Sequence, residues 1–202
     1  AGLKVNYSIV NSEIPTLKDV KVVEKEIGKH KPRVVLGVGG GAKIDMAKLS
    51  SAHLGIPFIS VPTTASHDGI ASPFASLKGL ERPYSIMAQS PMAVIADTSI
   101  IIQAPHRFLA SGCGDLISKF TSIRDWELAQ IRRNEYYAQY AASLVLMGAR
   151  HVSDNVDAIK PGSEEGLRIV FEALVSCGVA MGIAGTSRPC SGSEHLFSHA
   201  LD

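Results

Sequence analysis

The chain has 202 residues, 46% of them hydrophobic and 19% charged, which is the balance of an ordinary globular protein with a sizeable core. Its formal net charge of +1 excludes a general electrostatic grip on nucleic acid, which requires a clustered basic surface. No apolar run approaches the roughly 20 residues of a membrane span, and the N-terminus lacks the parts of a signal peptide, so neither an integral membrane segment nor a leader is predicted.

The first half of the chain alternates strand-like and helix-like segments. The predicted strands are Leu3–Val10, Arg33–Gly37, Pro57–Val61, Ser85–Met87 and Ala93–Ala96. The predicted helices are Thr16–His30, with apolar residues at helical spacing, and Ala42–Leu54, directly after a cluster of glycines. This alternation favours a parallel α/β sheet.

The segments after Gln103–Pro105 are helical in pattern. Long helices are predicted at Ser111–Arg132, Tyr136–His151 and Glu164–Met181, and another from Ser193 to Leu201. The sequence therefore predicts an α/β parallel-sheet nucleotide-binding domain at 1–104 and an all-α domain at 105–202, with a hinge near residue 104 and a substrate cleft between them. The apolar helices of the second domain could pack against a copy of the chain, which would give a homo-oligomer.

The cysteines and the two ends of the chain give further expectations. Cys113, Cys177 and Cys190 are odd in number and widely spaced, which indicates reduced thiols in a cytoplasmic protein. The chain opens without a clear first strand–turn–helix unit and closes on LFSHALD inside a predicted helix. We therefore expect a fragment of a longer protein, truncated at both ends.

A glycine cluster lies between the second predicted strand and the helix that follows it. The segment GVGGGAKIDMAK matches G-x-G-x-x-A at Gly37, Gly39 and Ala42, which is a weak signal alone, because the acidic residue expected about 20 positions later is missing. Glycines let the backbone turn tightly, and the amides that begin the helix can hold a phosphate. The alternative is a tight turn that binds nothing.

Polar residues follow the next predicted strand. The segment SVPTTASHDG places the hydroxyls of Thr63, Thr64 and Ser66 at a strand's carboxyl end, where open α/β sheets bind ligands. Asp68 comes next and is a candidate substrate contact, although an Asp in a loop is often only a turn-former or a cap. The two segments together predict a nucleotide site.

Three residues of the second half are candidates for metal chemistry. Asp115 is predicted at the beginning of a helix, where its alternative role is a carboxylate favoured by the helix dipole. His195 and His199 are four apart and share one helical face. Asp115 with His195 offers two ligands for a divalent ion such as zinc. The residues identify no third ligand.

The stretch GTSRPCSGSEH contains a candidate anion site. Arg188, with Ser191 and Ser193, could grip a phosphate, because a guanidinium fork matches phosphate oxygens. The alternative is a surface arginine beside a proline turn.

Four segments together resemble one enzyme family. They are GVGGGAKIDMAK, VPTTASHDGIASPFASLKG, SGCGDLISKFTSIRDWELA and SRPCSGSEHLFSHALD. The chain resembles the sn-glycerol-1-phosphate dehydrogenases, within the group that also holds glycerol dehydrogenases, iron-containing alcohol dehydrogenases and 3-dehydroquinate synthases. HDGIASP and SGSEHLFSH point to the branch that uses a phosphorylated substrate.

The resemblance implies a dehydroquinate synthase-like fold with NAD or NADP in the cleft between two domains. By resemblance, the cofactor-binding residues are Gly39, Gly40, Gly41, Ala42, Lys43, Ile44, Asp45, Thr63, Thr64, Ala65, Ser66 and Ser72. Asp68, Asp115 and His199, with Arg188, would bind substrate, and Asp115 and His199 would be catalytic. Asp115 and His195 would bind a metal, usually zinc, with nickel or iron as alternatives. The family's third ligand is a histidine beyond Asp202.

The function that the resemblance implies is the reversible, metal-dependent reduction of dihydroxyacetone phosphate to sn-glycerol 1-phosphate. That product would supply the backbone of archaeal-type membrane lipids. In such a reaction His199 could relay the proton to or from the alkoxide. Alternatives are a glycerol or polyol dehydrogenase, a dehydroquinate synthase-like lyase, and a catalytically incomplete fragment that only binds ligands.

Overall fold

The structure is a computed structural model in which residue 7, residues 16–77 and residues 84–201 are described, apart from the side chains of Leu77, Tyr84 and His199. The predicted strand Leu3–Val10 lies almost wholly outside the described residues. The helices are α1 (Leu17–His30), α2 (Gly41–His53), α3 (Thr98–Ile101), α4 (His106–Arg133), α5 (Gln139–Asp154), α6 (Glu164–Ala184) and α7 (Ser193–Leu201). The strands are β1 (Val35–Gly39), β2 (Phe58–Pro62), β3 (Phe74–Leu77), β4 (Tyr84–Met87) and β5 (Ala93–Val94).

A three-stranded parallel sheet with the order β1-β2-β5 forms the first half of the fold. Val35 lies opposite Phe58 and Ile59 opposite Ala93, so β2 is the central strand. The predicted parallel α/β arrangement is confirmed. β1 runs two residues further than predicted and ends within the glycine cluster, which places the turn into α2 directly at the end of the sheet.

A separate antiparallel hairpin, β3 with β4, was not predicted. Phe74 pairs with Met87 and Leu77 with Tyr84. The prediction that the strand near Ser85 belongs to the parallel sheet is therefore wrong. Each strand has only four residues, which is too short for the alternation of apolar and polar residues to identify a pair.

The helix α4 begins at His106, five residues before the predicted start, and continues for 28 residues. Asp115 therefore lies well inside the helix, and its predicted place at a helix beginning is wrong. Gly112 lies within this helix, where α4 packs directly on the backbone of Ala65. A Cβ at position 112 would lie 2.3 Å from the Ala65 carbonyl oxygen.

One apolar core joins the sheet side to the helical side of the described residues. Ile44 and Phe58 from the first half share it with Leu116, Val145 and Leu174 from the second, and all five are fully buried. The packing therefore continues past residue 104, and the domain boundary at that position stays a prediction.

Among the described helices, α6 alone is long and apolar enough to cross a membrane, with 21 residues. Of its most apolar window, 56% is buried inside the protein. Leu174 and Cys177 on this helix have no exposed surface, so α6 packs as a core helix.

Replacing Gly112 with Ala is expected to lower the free energy of unfolding by about 1–3 kcal/mol, because the new methyl group overlaps a backbone carbonyl that cannot turn away. Gly114→Ala is the matched control, since it lies in the same helix and nothing lies within 4 Å of its added Cβ. That control is expected to raise stability by up to about 1 kcal/mol through helix propensity. Chemical denaturation of both variants measures the difference, and equal effects would contradict the close approach of α4 to Ala65.

Candidate active site

The turn between β1 and α2 places backbone amides at the edge of the sheet. Gly39 has a φ of 143°, which only glycine adopts without strain. The Gly39 carbonyl accepts a hydrogen bond of 3.0 Å from the Thr63 amide, so this turn and the end of β2 are held side by side. The amides of Gly41 and Ala42 begin α2 and have no carbonyl partner within the helix. They form a local site suited to a phosphate.

Several residues predicted to contact a cofactor have buried side chains. Ile44 is 0% exposed, and Asp45 is 5% exposed. The Asp45 carboxylate accepts 3.0 Å hydrogen bonds from the Lys48 ammonium and from the Ser76 amide. The structure thus gives the Asp45 carboxylate a structural role, and a contact of residue 45 with a cofactor stays a prediction.

Ser72 and Ala65, two further residues predicted to contact a cofactor, are also buried. The Ser72 hydroxyl is buried and makes 3.2 Å hydrogen bonds with the amide and the carbonyl of Phe74. Ala65 is buried against α4. Thr63, Thr64 and Ser66 remain half-buried at the end of β2, and the Thr64 and Ser66 hydroxyl oxygens lie 3.4 Å apart.

His67 is a site residue that the sequence reasoning did not assign. Its ring lies between two glycines, because a Cβ on Gly41 would fall 1.9 Å from Nε2 and one on Gly69 would fall 2.5 Å from Nδ1. The Gly69 amide donates a 3.0 Å hydrogen bond to Nδ1. A neutral ring therefore carries its proton on Nε2, which faces the beginning of α2. Glycines on both sides of the histidine were the available signal.

One face of α4 holds the loop that follows β2. The Ser111 hydroxyl donates to the Ser66 carbonyl at 3.1 Å, and the Asp68 amide donates to Oδ2 of Asp115 at 2.9 Å. Asp68 and Asp115, predicted separately from distant segments, are thus brought into direct contact.

Lys119 lies at the centre of this contact and was not predicted. It is 0% exposed, and its Nζ lies 2.6 Å from Oδ1 of Asp115, 2.8 Å from Oδ2 of Asp68 and 3.0 Å from the Cys190 carbonyl oxygen. The contact with Asp68 is an ion pair without the direction of a hydrogen bond, so buried Oδ2 of Asp68 has no hydrogen-bond donor among the described residues. Its position one helical turn after Asp115 was the available signal.

With both carboxylates ionised, the cluster of Asp68, Asp115 and Lys119 carries a net charge of −1. Burial and the Asp68 carboxylate raise the pKa of Asp115 above its usual value, although Lys119 opposes both. Burial alone would lower the pKa of Lys119, but the two carboxylates reverse this and hold it well above its usual value. The site therefore favours a further cation.

A second buried lysine holds the other half of the same loop. Lys48 on α2 is 0% exposed and donates to the carbonyl oxygens of Gly69, at 2.7 Å, and Phe74, at 2.5 Å, besides its pair with Asp45. The loop from Thr63 to Phe74 is therefore anchored from both sides by ammonium groups.

The start of α7 is hydrogen-bonded to α4, six residues after Lys119. The Ser193 amide donates a 2.6 Å hydrogen bond to Oδ2 of Asp125. His195 is partly exposed, and its Nδ1 lies 2.9 Å from Oε1 of Glu194. Burial would raise the pKa of Glu194, but bonds from His195 and the Gly192 amide lower it. His195 and Asp115 thus lie on two helices that are tied together, while the His199 side chain lies outside the described residues.

A complete metal site is not present in the part of the chain that the structure describes. No group of three or more histidine, cysteine or acidic side chains is arranged there to hold a metal ion. The three cysteines are free thiols, as predicted. Asp115 and His195 could supply two ligands of mixed oxygen and nitrogen chemistry, which suits zinc.

Arg188 has a partner other than a substrate phosphate. Its Nε donates a 2.7 Å hydrogen bond to Oε1 of Glu135, and its terminal nitrogen lies 3.4 Å from the Asp125 carbonyl oxygen. The guanidinium thus fastens the segment before α7 to the end of α4. A phosphate contact by Arg188 stays a prediction, because Glu135 accepts only the bond from Nε.

The family of the chain follows from comparison with known proteins. A family model described as iron-containing alcohol dehydrogenase matches residues 1–105, which is more than half of the chain and includes the glycine turn and the loop after β2. The chain belongs to the iron-containing alcohol dehydrogenase family.

Relatives in this family are similar over most of the chain. The glycerol-1-phosphate dehydrogenase [NAD(P)+] of Methanosarcina mazei is 59% identical over 188 residues, covering 93% of this chain and 52% of the relative. The protein of the same name from Thermococcus kodakarensis is 54% identical over 204 residues, covering 100% of this chain and 58% of the relative. The chain therefore spans about half the length of the curated relatives it matches.

Solved structures of the iron-containing alcohol dehydrogenase group share the fold. A probable glycerol dehydrogenase from Sinorhizobium meliloti superposes with a TM-score of 0.78 at 21% identity, covering 92% of this chain and 54% of that one. A sulfoacetaldehyde reductase from Bifidobacterium kashiwanohense in complex with NAD+ gives a TM-score of 0.71 at 19% identity, covering 91% of this chain and 52% of that one. The predicted fold class, a fragment of the dehydroquinate synthase-like fold, is confirmed.

Arg188→Ala and Glu135→Ala are each expected to lower the thermal midpoint slightly, and the double variant to lose less than the sum of the two. The coupling free energy should be about 0.2–1 kcal/mol, because both side chains are partly exposed. Denaturation of the four proteins gives this coupling. Fully additive losses would show that the two groups do not interact.

Proposed function

We propose that the protein containing this chain catalyses the reversible, NAD(P)-dependent reduction of dihydroxyacetone phosphate to sn-glycerol 1-phosphate. The observation that carries the proposal is the single loop from Thr63 to Phe74. It joins a glycine turn suited to a cofactor phosphate to the buried cluster of Asp68 and Asp115. High identity to curated glycerol-1-phosphate dehydrogenases supports this choice of substrate.

The cofactor would lie along the open edge of the sheet. Gly39, Gly40, Gly41, Ala42 and Lys43 provide the turn and the first amides of α2, where a pyrophosphate fits. The half-buried Thr63, Thr64 and Ser66 would contact the rest of the molecule. A bound nicotinamide supplies the hydride, while the protein fixes its face and distance.

A divalent metal would lie beside Asp115. The uncompensated negative charge of the Asp68, Asp115 and Lys119 cluster fits a cation, and Asp115 with His195 fits zinc, nickel or iron by ligand type. At least one further ligand would come from outside the described residues. When bound, such an ion polarises the substrate carbonyl as a Lewis acid.

The remaining roles belong to residues of this chain. The Asp68 side chain is 13% exposed, and its Oδ2 has no hydrogen-bond donor among the described residues, so we assign the Asp68 carboxylate to accept a hydroxyl hydrogen of the substrate. We retain His199 as the residue that moves the proton at the substrate oxygen, because imidazole titrates near neutral pH. The product would enter archaeal-type membrane lipids. The protein would act in the cytoplasm as a homo-oligomer and would have no nucleic acid partner.

A glycerol or polyol dehydrogenase is the second candidate. The observation that favours it is the ion pair of Arg188 with Glu135, which leaves that arginine engaged rather than turned to a phosphate. Initial rates with dihydroxyacetone phosphate and with dihydroxyacetone distinguish the two. The leading proposal requires a clear preference in kcat/KM for the phosphorylated substrate.

Asp115→Asn in the full-length protein is expected to abolish zinc retention and lower kcat/KM by at least about 100-fold, because the metal loses a charged ligand. Asp154→Asn is the control, as an exposed carboxylate at the end of α5. Metal content and initial rates of dihydroxyacetone phosphate reduction measure the effect. Full activity in Asp115→Asn would remove the proposed metal role.

Gly41→Ala is expected to weaken NADH and NADPH binding by about tenfold, because its Cβ must displace His67 from the beginning of α2. Gly28→Ala on α1 is the control, since its added Cβ meets nothing within 4 Å. Fluorescence titration with each cofactor gives the dissociation constants. Unchanged binding in Gly41→Ala would place the cofactor elsewhere.

A further inference from the structure

Three segments of the candidate active site meet at one ammonium group. Lys119 Nζ contacts Asp115 within α4, Asp68 in the loop after β2, and the Cys190 carbonyl in the segment that leads to α7. We propose that Lys119 is a positioning residue for substrate, which sets Asp68 and Asp115 at their working separation. This inference rests on the proposed function, in which both carboxylates face the substrate.

Lys119 acts through these neighbours and does not touch the substrate. Its ammonium donates hydrogen bonds to Oδ1 of Asp115 and to the Cys190 carbonyl oxygen, and it forms an ion pair with Oδ2 of Asp68, so its Nζ is fully engaged by the protein. The side chain has no exposed surface, so a ligand cannot reach it. Its effect on the reaction is therefore confined to where the two carboxylates lie.

The positive charge is the property that matters. Two carboxylates so close together repel each other, and burial strengthens that repulsion. The ammonium allows both to be ionised and near each other, whereas an apolar side chain of equal length would let Asp68 move away. Since the Asp68 amide is bonded to Asp115, such a movement also displaces the start of the loop's 3₁₀ turn at Asp68–Ile70.

The effect should be confined to the substrate half of the site. The turn from Gly39 to Gly41 is held by the Thr63 amide, which bonds the Gly39 carbonyl, and not by Lys119. Lys48 anchors the far part of the loop independently, through Gly69 and Phe74. Loss of Lys119 should therefore impair substrate binding and leave cofactor binding intact.

The test compares Lys119→Met with Val152→Ala in the full-length protein. Val152 is buried on α5, outside the site, so its variant loses stability without touching the loop. Lys119→Met is expected to raise KM for dihydroxyacetone phosphate by about 10–100-fold, while Kd for NADH changes less than about twofold. Val152→Ala is expected to change neither value.

Hydrogen exchange supplies a readout that needs no activity. Lys119→Met should speed amide exchange at residues 67–72 and 189–193 while residues 35–45 keep their protection, and Val152→Ala should not reproduce this pattern. An unchanged KM with unchanged exchange in Lys119→Met would overturn the proposal, as would an equal loss of substrate and cofactor binding.

Two further outcomes are separable. If Lys119→Met does not fold, Lys119→Arg keeps the positive charge but changes where it lies, and it should raise KM for dihydroxyacetone phosphate while Kd for NADH is unchanged. Unchanged KM with unchanged exchange in Lys119→Arg would count against a positioning role. Inactivity of the unmodified protein toward dihydroxyacetone phosphate would refute the proposed function alone, because the exchange experiment still tests whether Lys119 orders the loop.

Discussion

The loop from Thr63 to Phe74 depends on two buried lysines. The carbonyl oxygens and polar side chains of a buried loop need hydrogen-bond partners. A buried polar group without such a partner lowers the stability of the fold. Lys48 from α2 and Lys119 from α4 each enter the loop from one side, each with a carboxylate neighbour that compensates its charge. The two lysines therefore hold the loop in one conformation, with Asp68 between the sheet and α4.

Close approach of helices makes this arrangement possible. Gly112 on α4 and Gly178 on α6 contact the backbone of the same loop, and a Cβ at position 178 would lie 2.7 Å from the Asp68 carbonyl oxygen. With side chains at these positions, the helices would stand further away, and Lys119 and Asp115 would not reach Asp68. The two glycines thus allow the helices to approach closely enough for Lys119 and Asp115 to contact Asp68.

The sequence predicted the regular elements and the residue types of the site, but not the interactions between them. Hydrophobic periodicity located α1 almost residue for residue. In the fold, a capping box between Thr16 and Asp19 marks the start of this helix. The same reasoning placed Asp115 at the beginning of a helix, because the start that it predicted, Ser111, lies five residues after the observed start at His106. Gly112 is explained by its contact with Ala65, 47 residues earlier, and no local pattern reports such a contact.

The buried pairs show the same limit. The resemblance implies ligand contacts for Asp45 and Ser72, and the residues around Arg188 suggest one there. Their partners in the fold are Lys48, Phe74 and Glu135. The lysines at 48 and 119 carry no motif of their own. Their importance follows only from the carbonyls and carboxylates that tertiary packing brings to them.

The length of α4 has a mechanical consequence. This helix of 28 residues extends about 42 Å without an interruption, so it behaves as a stiff rod. It carries Asp115 about a third of the way along, Asp125 further on, where α7 is attached, and Asn134 at its cap. Any movement that swings the helical half away from the sheet would therefore carry Asp115 and α7 together as one body, and the bending would fall on the loop around Ser66 and on the connection before His106.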